Sequence, residues 1–383
     1  FPTHIPVIAI EGSVPGRDTL AYSALARTPP TQAMQTAHDA VTNDTVAKFL
    51  FTSGTTGSPK AVIQTHGMLC SNQQIIRQSW PWLEQTPPVV VDWAPWNHTA
   101  SGNKVFNMVL TNGGTYHIDG GRPTPQGIAQ TIENLREVSP TWYFNVPLGY
   151  QMLLDAFETD DHLRDTFFKQ LQMMFYAGAG MSQPVWDRLT RLVETMRPDG
   201  SVLLTTGFGA TETGPYALVC NQPQKTSGNL GVPGNGVILK LVPQDGKLEA
   251  RVKTPSVTPG YWGNPELTAQ AFDDEGFYRF GDALRFAVPG DASQGFVFDG
   301  RLAENFKLAS GTWVAVGPLR AVLTNALGGL ASDVVIAGEG QDALGALVVP
   351  DLTAMRETAG ADLDPDALIA HPAVRTLTAE RLG

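Results

Sequence analysis

From about residue 45 the chain alternates short apolar runs with longer segments whose apolar positions recur at helical spacing. Val89-Val90-Val91-Asp92-Trp93 predicts a buried strand, and Thr115-Tyr116-His117-Ile118, entered through Gly113-Gly114, predicts a second. Residues 126–138 carry a helical pattern, and residues 141–146 predict a strand that Pro147 ends. Residues 173–177 predict a strand, 183–196 a helix and 202–206 a strand again. A strand covered on both faces has no solvent side, so it reads as an unbroken apolar run rather than an alternation. Such strands separated by helices predict an α/β fold built on largely parallel sheets covered by helices. The pattern changes near residue 225. Residues 238–242 and 248–252 flank Gln244-Asp245-Gly246 and predict a hairpin, with further strand-like runs at 277–280 and 296–298 in a β-rich part of about 225–300. Residues 301–383 read as the start of a smaller α/β C-terminal module.

Composition narrows the options. The 383 residues suffice for two or three domains, and 42% hydrophobic against 16% charged positions supply sizeable cores. The 39 glycines and 28 prolines are spread along the chain and predict many turns. A net charge of −11 argues against general nucleic-acid binding, because a phosphate backbone would be repelled. It leaves a single phosphorylated ligand open, since local donors decide that. Cys70 and Cys220 make no disulfide framework and read as reduced thiols. Without a signal peptide or an apolar run of bilayer length, the expectation is a cytoplasmic protein with no membrane partner.

The densest chemistry lies in Thr52-Ser53-Gly54-Thr55-Thr56-Gly57-Ser58-Pro59-Lys60, directly after the apolar run Phe49-Leu50-Phe51. Glycines let successive backbone N–H groups turn toward one point, and such a nest binds phosphate. The hydroxyls add donors and Lys60 adds a point charge. No Lys-Ser/Thr pair directly follows the second glycine, so this is not a Walker A loop. Loops of generic Gly/Ser/Thr composition are most often plain turns; the order of residues here is more specific.

That order resembles the phosphate-binding signature of the adenylate-forming superfamily, which includes acyl-CoA synthetases, luciferases and peptide-synthetase adenylation domains. Three further stretches resemble family motifs in the same order: Phe208-Gly209-Ala210-Thr211-Glu212, Tyr278-Arg279-Phe280-Gly281-Asp282, and Asp299-Gly300-Arg301 followed by Lys307. Together they span roughly residues 45 to 320. The resemblance implies an ATP-dependent enzyme that joins a carboxylate to AMP and passes the acyl group to CoA. It implies a partial large domain over 1–300, a hinge near 302–304 and an incomplete C-terminal domain over 301–383. Residues 92–99 and 306–314 look most like feruloyl-CoA synthetases; a fatty-acyl or other aryl-CoA ligase, or a truncated nucleotide-binding protein, stays open.

Roles follow from the resemblance residue by residue. Thr52, Ser53, Gly54, Thr55, Thr56, Gly57 and Lys60 would hold the ATP phosphates, joined by Gly209 and Thr211. Glu212 would hold Mg²⁺, as a carboxylate oxygen suits a hard cation. Phe208 offers a ring to adenine where the family usually has Tyr, so a hydroxyl is lost and stacking retained. Asp282 would anchor the ribose hydroxyls and Arg301 the ribose or phosphate. His98 would neighbour the substrate carboxylate, with Tyr143, Asn145 and the Gly178-Ala179-Gly180 turn around the acyl group. Lys307 would serve thioester formation. Taken singly, each has a blander reading: Glu212 an acid at a helix start, Asp282 a turn residue, Arg301 a surface cation, residues 142–146 a core strand. Two departures stand out. Ala303 occupies the hinge position where the family commonly has Asp or Lys. The family's adenylation lysine has no counterpart before Gly383, so a fragment is expected to bind nucleotide better than it catalyses.

Overall fold

The computed structural model describes residues 4–52, 59–244, 246–314 and 316–382. The chain divides into two compact units, residues 1–45 and 46–383. In the first, β1 (Val7–Ala9) and β2 (Thr19–Ala21) pair in parallel and are followed by α1 (Tyr22–Ala26) and α2 (Gln32–Asp39). Thr31 caps α2, its hydroxyl oxygen accepting the Met34 N–H at 3.1 Å, which satisfies one donor of the open helix end.

The second unit begins with β3 (Val46–Thr52) and β4 (Lys60–Thr65), an antiparallel pair whose register sets Thr52 opposite Lys60. The signature residues Ser53, Gly54, Thr55, Thr56 and Gly57 lie between these strands, outside the described residues. Thr65 caps α3 (His66–Ser79) through the Met68 N–H at 3.2 Å. The chain continues through β5 (Val89–Asp92), a π-helical turn at Ala100–Val105, α4 (Phe106–Thr111), β6 (Thr115–Ile118), α5 (Ile128–Glu137) and β7 (Trp142–Asn145). Then come α6 (Pro147–Thr159), α7 (Asp161–Phe168), β8 (Met173–Tyr176), α8 (Gln183–Met196) and β9 (Leu203–Thr205).

All of these later strands pair in parallel, β5 with β6 and β8 between β7 and β9. The Thr141 N–H donates to Val89 O at 3.0 Å, so the two parallel sheets adjoin where β5 meets β7. The unbroken apolar runs have the expected cause, because β7 is buried throughout and serves two cores. Tyr143 packs with Tyr150, Phe157, Phe167 and Trp186 beneath α6, α7 and α8. Trp142 and Phe144 face the other way, toward Ile76, Trp80 and Met108 beneath α3 and α4. Removing a fully buried aromatic from either core would cost about 3–5 kcal/mol. Pro147 ends β7 by opening α6, where its ring pre-sets φ and its missing N–H has no intrahelical partner to lose.

β10 (Gly207–Phe208), β11 (Leu218–Val219) and β12 (Val232–Pro233) form a small antiparallel sheet. β13 (Ile238–Gln244), β14 (Lys247–Lys253), β15 (Tyr278–Val288) and β16 (Asp291–Arg301) form a four-stranded antiparallel meander, with α9 (Pro265–Ala271) preceding β15. Its core is Ala250, Val252, Tyr278, Leu284 and Phe296. β17 (Phe306–Lys307) pairs with β18 (Trp313–Val314), followed by α10 (Val316–Ala326), then β19 (Ala331–Ala337) paired with β20 (Gly345–Pro350). α11 (Leu352–Ala359), α12 (Pro365–Ala370) and α13 (Pro372–Leu382) complete the chain. Residues beyond 305 bury two apolar clusters of their own, one around Val334 and Leu327, the other around Leu368 and Met355. The class is α/β, as the pattern predicts. Cys70 and Cys220 are free thiols. Among the described residues, no helix is long and apolar enough to cross a membrane.

Candidate active site

β7, β8 and β9 run parallel and side by side, so their carboxyl ends share one edge, the edge at which such sheets present ligand loops. The loops there are tied together. The Thr206 hydroxyl donates to Tyr176 O at 2.7 Å. Gly178 has φ of +88°, and a Cβ there would lie 3.3 Å from Val146 Cγ1, so the turn after β8 sits against the residue after β7. Gly178, Ala179 and Gly180 are exposed. Tyr143 and Asn145 are not; both are fully buried. Asn145 Oδ1 accepts from Trp93 Nε1 at 3.2 Å and from the Val146 N–H at 2.9 Å, while its Nδ2 donates to the Tyr143 hydroxyl at 3.0 Å. Burial pushes the Tyr143 phenol pKa up, and its ring packs edge-on against Tyr150 and Phe167. The expected pocket residues therefore separate: the glycine turn forms surface, and Tyr143 and Asn145 lie buried inside the fold.

Phe208, Gly209, Thr211 and Glu212 follow β9. A Cβ on Gly209 would come within 1.6 Å of Pro215 O, so the segment closes on itself only because this residue is Gly. Thr213 pins the turn, accepting the Ala210 N–H at 2.9 Å and donating to Pro215 O at 2.8 Å. Buried amides fix it to the rest of the fold. Gln64 Nε2 donates to Thr211 O at 3.2 Å, and Asn72 Nδ2 to Thr213 O at 3.1 Å and Tyr216 O at 2.9 Å. Asn103 Nδ2 in turn donates to Gln64 Oε1 at 2.8 Å. The amide donors of this buried network are all used and hold the turn in place, because a shift would strand them out of water, whereas Asn72 Oδ1 and Asn103 Oδ1 find no partner among the described residues. Gln64, Asn72 and Asn103 were missed by the sequence reading; their signal is amides at positions that pack inward.

Tyr261, also missed, joins Lys60 to Glu212. It bridges to Val62 of β4, and the Trp262 N–H donates to Ala61 O at 2.9 Å. Its hydroxyl donates to Glu212 Oε1 at 2.8 Å, and Lys60 Nζ lies 5.5 Å from its ring centroid. Burial first, then the Glu212 charge, pushes the Tyr261 phenol pKa up, so it remains a donor at every physiological pH. The Thr258 N–H holds the Glu212 backbone carbonyl at 2.7 Å. Glu212 is 8% exposed. Among the described residues, no group of three or more His, Cys, Asp or Glu gathers to hold a metal alone. A lone carboxylate holds a hard cation only alongside ligands from substrate or water.

Phe208 packs on Phe280 with ring centroids 4.7 Å apart, two residues from Asp282 on β15. Asp282 pairs in register with Arg301 of β16, with Nε 3.5 Å from Oδ1. Burial pushes the Asp282 pKa up to about 6, Arg301 offsets part of this and Glu304 adds to it. Thr52 is half-buried at the end of β3. His98 is exposed at the turn before the π-helical segment; its Nδ1 accepts the Ala100 N–H at 3.2 Å, and partial desolvation of the ring lowers its pKa. Lys307 is exposed on β17, its carbonyl accepting the Gly340 N–H at 2.9 Å. Between Arg301 and β17, residues 302–304 form a 3-10 turn. Beside it Lys247 Nζ, buried, donates to Asp299 O.

The fold recurs in ATP-bound MatB from Rhodopseudomonas palustris, with a TM-score of 0.64 and 23% identity, covering 86% of this chain and 61% of that one. A family model described as AMP-binding enzyme matches residues 5–262, and the chain belongs to that family. It is 30% identical over 304 residues to a carboxylic acid reductase of Mycobacterium tuberculosis, covering 73% of this chain and 24% of that protein. It is 29% identical over 257 residues to a feruloyl-CoA synthase of an Amycolatopsis species, covering 65% of this chain and 48% of the relative. The chain thus spans about a quarter to a half of the length of these curated relatives.

Proposed function

We propose that the chain activates a carboxylic acid with ATP. A carboxylate oxygen attacks the α-phosphorus, the bond to pyrophosphate breaks, and an acyl adenylate forms. The CoA thiol sulfur then attacks the acyl carbon and AMP leaves. The observation that carries this reading is Tyr261 holding Glu212 by its hydroxyl while Lys60 lies over its ring. A cation and a carboxylate that share Tyr261 as a neighbour support this reading, since charge stabilisation during attack at phosphorus calls for such groups.

Within this reading, Thr52, the Ser53–Gly57 loop, Gly209, Thr211 and Lys60 hold the phosphates. Glu212 holds Mg²⁺, which when bound would neutralise phosphate charge. Phe208 presents a ring to adenine, Asp282 accepts from the ribose hydroxyls and Arg301 supports them. His98 stands by the substrate carboxylate, with the Gly178–Gly180 turn at its rim. The C-terminal part beyond residues 302–304 presents Lys307 for thiol transfer. The acid is taken to be feruloyl or a related aryl acid, supported by similarity to feruloyl-CoA synthase and to 3-hydroxybenzoate–CoA ligase.

Similarity to carboxylic acid reductases favours a second reading, in which the activated acid is destined for reduction by a hydride donor bound outside this chain rather than for CoA. A panel of aryl and alkyl acids, scored for AMP release with and without CoA, tests both. CoA-dependent release supports the ligase. Adenylate formed without any response to CoA supports the second reading, and ATP binding without adenylate from any acid overturns both.

A further inference from the structure

Asp92 ends β5 and is only 3% exposed. A buried carboxylate persists only where donors replace the water it has lost. Three do so here. The Ala94 N–H donates to Oδ1 at 3.1 Å, the Tyr116 hydroxyl to Oδ2 at 2.5 Å, and the Ser101 hydroxyl to the same Oδ2. Bonds to an ionised acceptor are shorter and roughly twice as strong as neutral ones. The donors come from separate places: the loop after β5, the strand β6 and the π-helical turn. Tyr116 extends the hold. Its hydroxyl accepts from Trp96 Nε1 at 3.0 Å, and the two rings meet edge-on with centroids 5.8 Å apart.

The stretch enclosed by these contacts is 93–100, and His98 lies in it. Ala94 stands near its start, Trp96 in its middle, and Ser101 just past its end. The stretch also folds back on the turn, for a Cβ on Gly102 would lie 1.9 Å from Trp96 O. The turn is a fixed base: residues 101–105 are buried, Lys104 among aromatic rings, and Lys48 Nζ donates to Gly102 O at 2.8 Å. The His98 N–H donates to Pro95 O at 3.0 Å, and its carbonyl accepts the Gly102 N–H at 2.8 Å. The ring is held in one tautomer as well. Its Nδ1 accepts the Ala100 N–H, so the proton of the neutral imidazole sits on Nε2, which is left to donate.

We propose that Asp92, through Tyr116 and Ser101, is the positioning residue for His98: the clamp holds residues 93–100 so that the His98 Nε2–H donates to a carboxylate oxygen of the bound acid. The proposal rests on the acid-activating reading. Asp92 is buried, so its effect on the acid passes through the loop and not through contact. Lys60, Glu212 and Asp282 have partners of their own in Tyr261 and Arg301, so the clamp governs the acid and not ATP.

The test uses the full chain with nitrogen-labelled histidine, read by NMR, and titration calorimetry with 4-hydroxycinnamate and with ATP. In wild type the His98 ring, assigned by the signal lost in His98→Ala, should be a single Nε2–H tautomer. Tyr116→Phe keeps the ring against Trp96 and removes the hydroxyl. It should give mixed tautomers and about tenfold weaker binding of 4-hydroxycinnamate, the scale of one hydrogen bond to a charged group, with ATP affinity unchanged. Ser101→Ala should do the same and carries the test if Tyr116→Phe does not fold. Added to His98→Ala, Tyr116→Phe should weaken binding of the acid no further, because a loss that passes through His98 cannot occur twice. A merely structural role would weaken acid and ATP alike or give additive losses, and either result overturns the proposal. So does an unchanged His98 tautomer in both folded variants. Adenylate formation is scored separately: if the ring responds as expected but the acid neither binds nor is adenylated, the acid-activating reading has failed and the clamp on His98 stands.

Discussion

Asp282→Asn asks whether this protein keeps a carboxylate charged at a place where charge destabilises it. The side chain is 16% exposed, and its pKa is pushed up to about 6 from 3.8, by burial first. Arg301 offsets only part of this because its own side chain is 62% exposed and 3.5 Å away, where a surface ion pair is worth little. Between the unfolded and folded values the native state binds more protons than the unfolded state. Stability therefore falls as pH rises through that window and stays low above about 6. At 1.36 kcal/mol per pH unit, ionisation at neutral pH costs about 3 kcal/mol. Asparagine keeps the shape and carries no charge. The variant should match wild type near pH 4 and exceed it by about 2–3 kcal/mol at pH 7.5. Urea melts of the full chain from pH 4 to 7.5 measure this. A difference between the two proteins that stays constant with pH, or a wild type that is more stable at pH 7.5, refutes the account. The same variant should lose ATP affinity by roughly ten- to a hundredfold, since hydrogen bonds to a charged acceptor contribute about 1.5–3 kcal/mol. A residue that weakens the fold and strengthens binding fits a functional site.

Tyr261→Phe removes the donor to Glu212 and keeps the ring under Lys60. ATP·Mg²⁺ affinity should fall about tenfold or more, and an affinity equal to wild type would detach Tyr261 from the site. Gly209→Ala forces a Cβ onto Pro215 O and should displace the Thr211–Thr213 turn, abolishing ATP binding while the α/β core remains by circular dichroism. Lys307→Ala should spare adenylate formation and slow thiol transfer when the two steps are timed separately; equal slowing of both would place Lys307 in the first step or in folding. Lys104→Met should raise thermal stability, most at low pH. A lysine whose folded pKa is lowered costs progressively more as pH falls below its unfolded value, and a melt unchanged or lowered at all pH values would contradict that.

The chain by itself determined the parallel α/β part, because strands buried on both faces need unbroken apolar runs, as at Val89–Asp92 and Met173–Tyr176. It determined the 183–196 helix and the 238–252 hairpin, where amphipathic spacing and a glycine turn act locally. The family, too, was legible from contiguous motifs. Only the tertiary structure decided which residues serve those motifs from a distance. Tyr261 meets Glu212 across 49 positions, and Gln64 reaches Thr211 across 147. No local pattern encodes either contact. Tyr143 and Asn145 read as pocket lining because aromatic and amide side chains suit both a ligand and a core. The fold turned Tyr143 toward Phe167, and the alternation of β7 left Trp142 and Phe144 to the other core, where Trp142 neighbours Lys104. A lysine among aromatics is unremarkable in one dimension. Its meaning appears only when packing removes water from it, since the cost of an unpaired donor exists only where no solvent reaches.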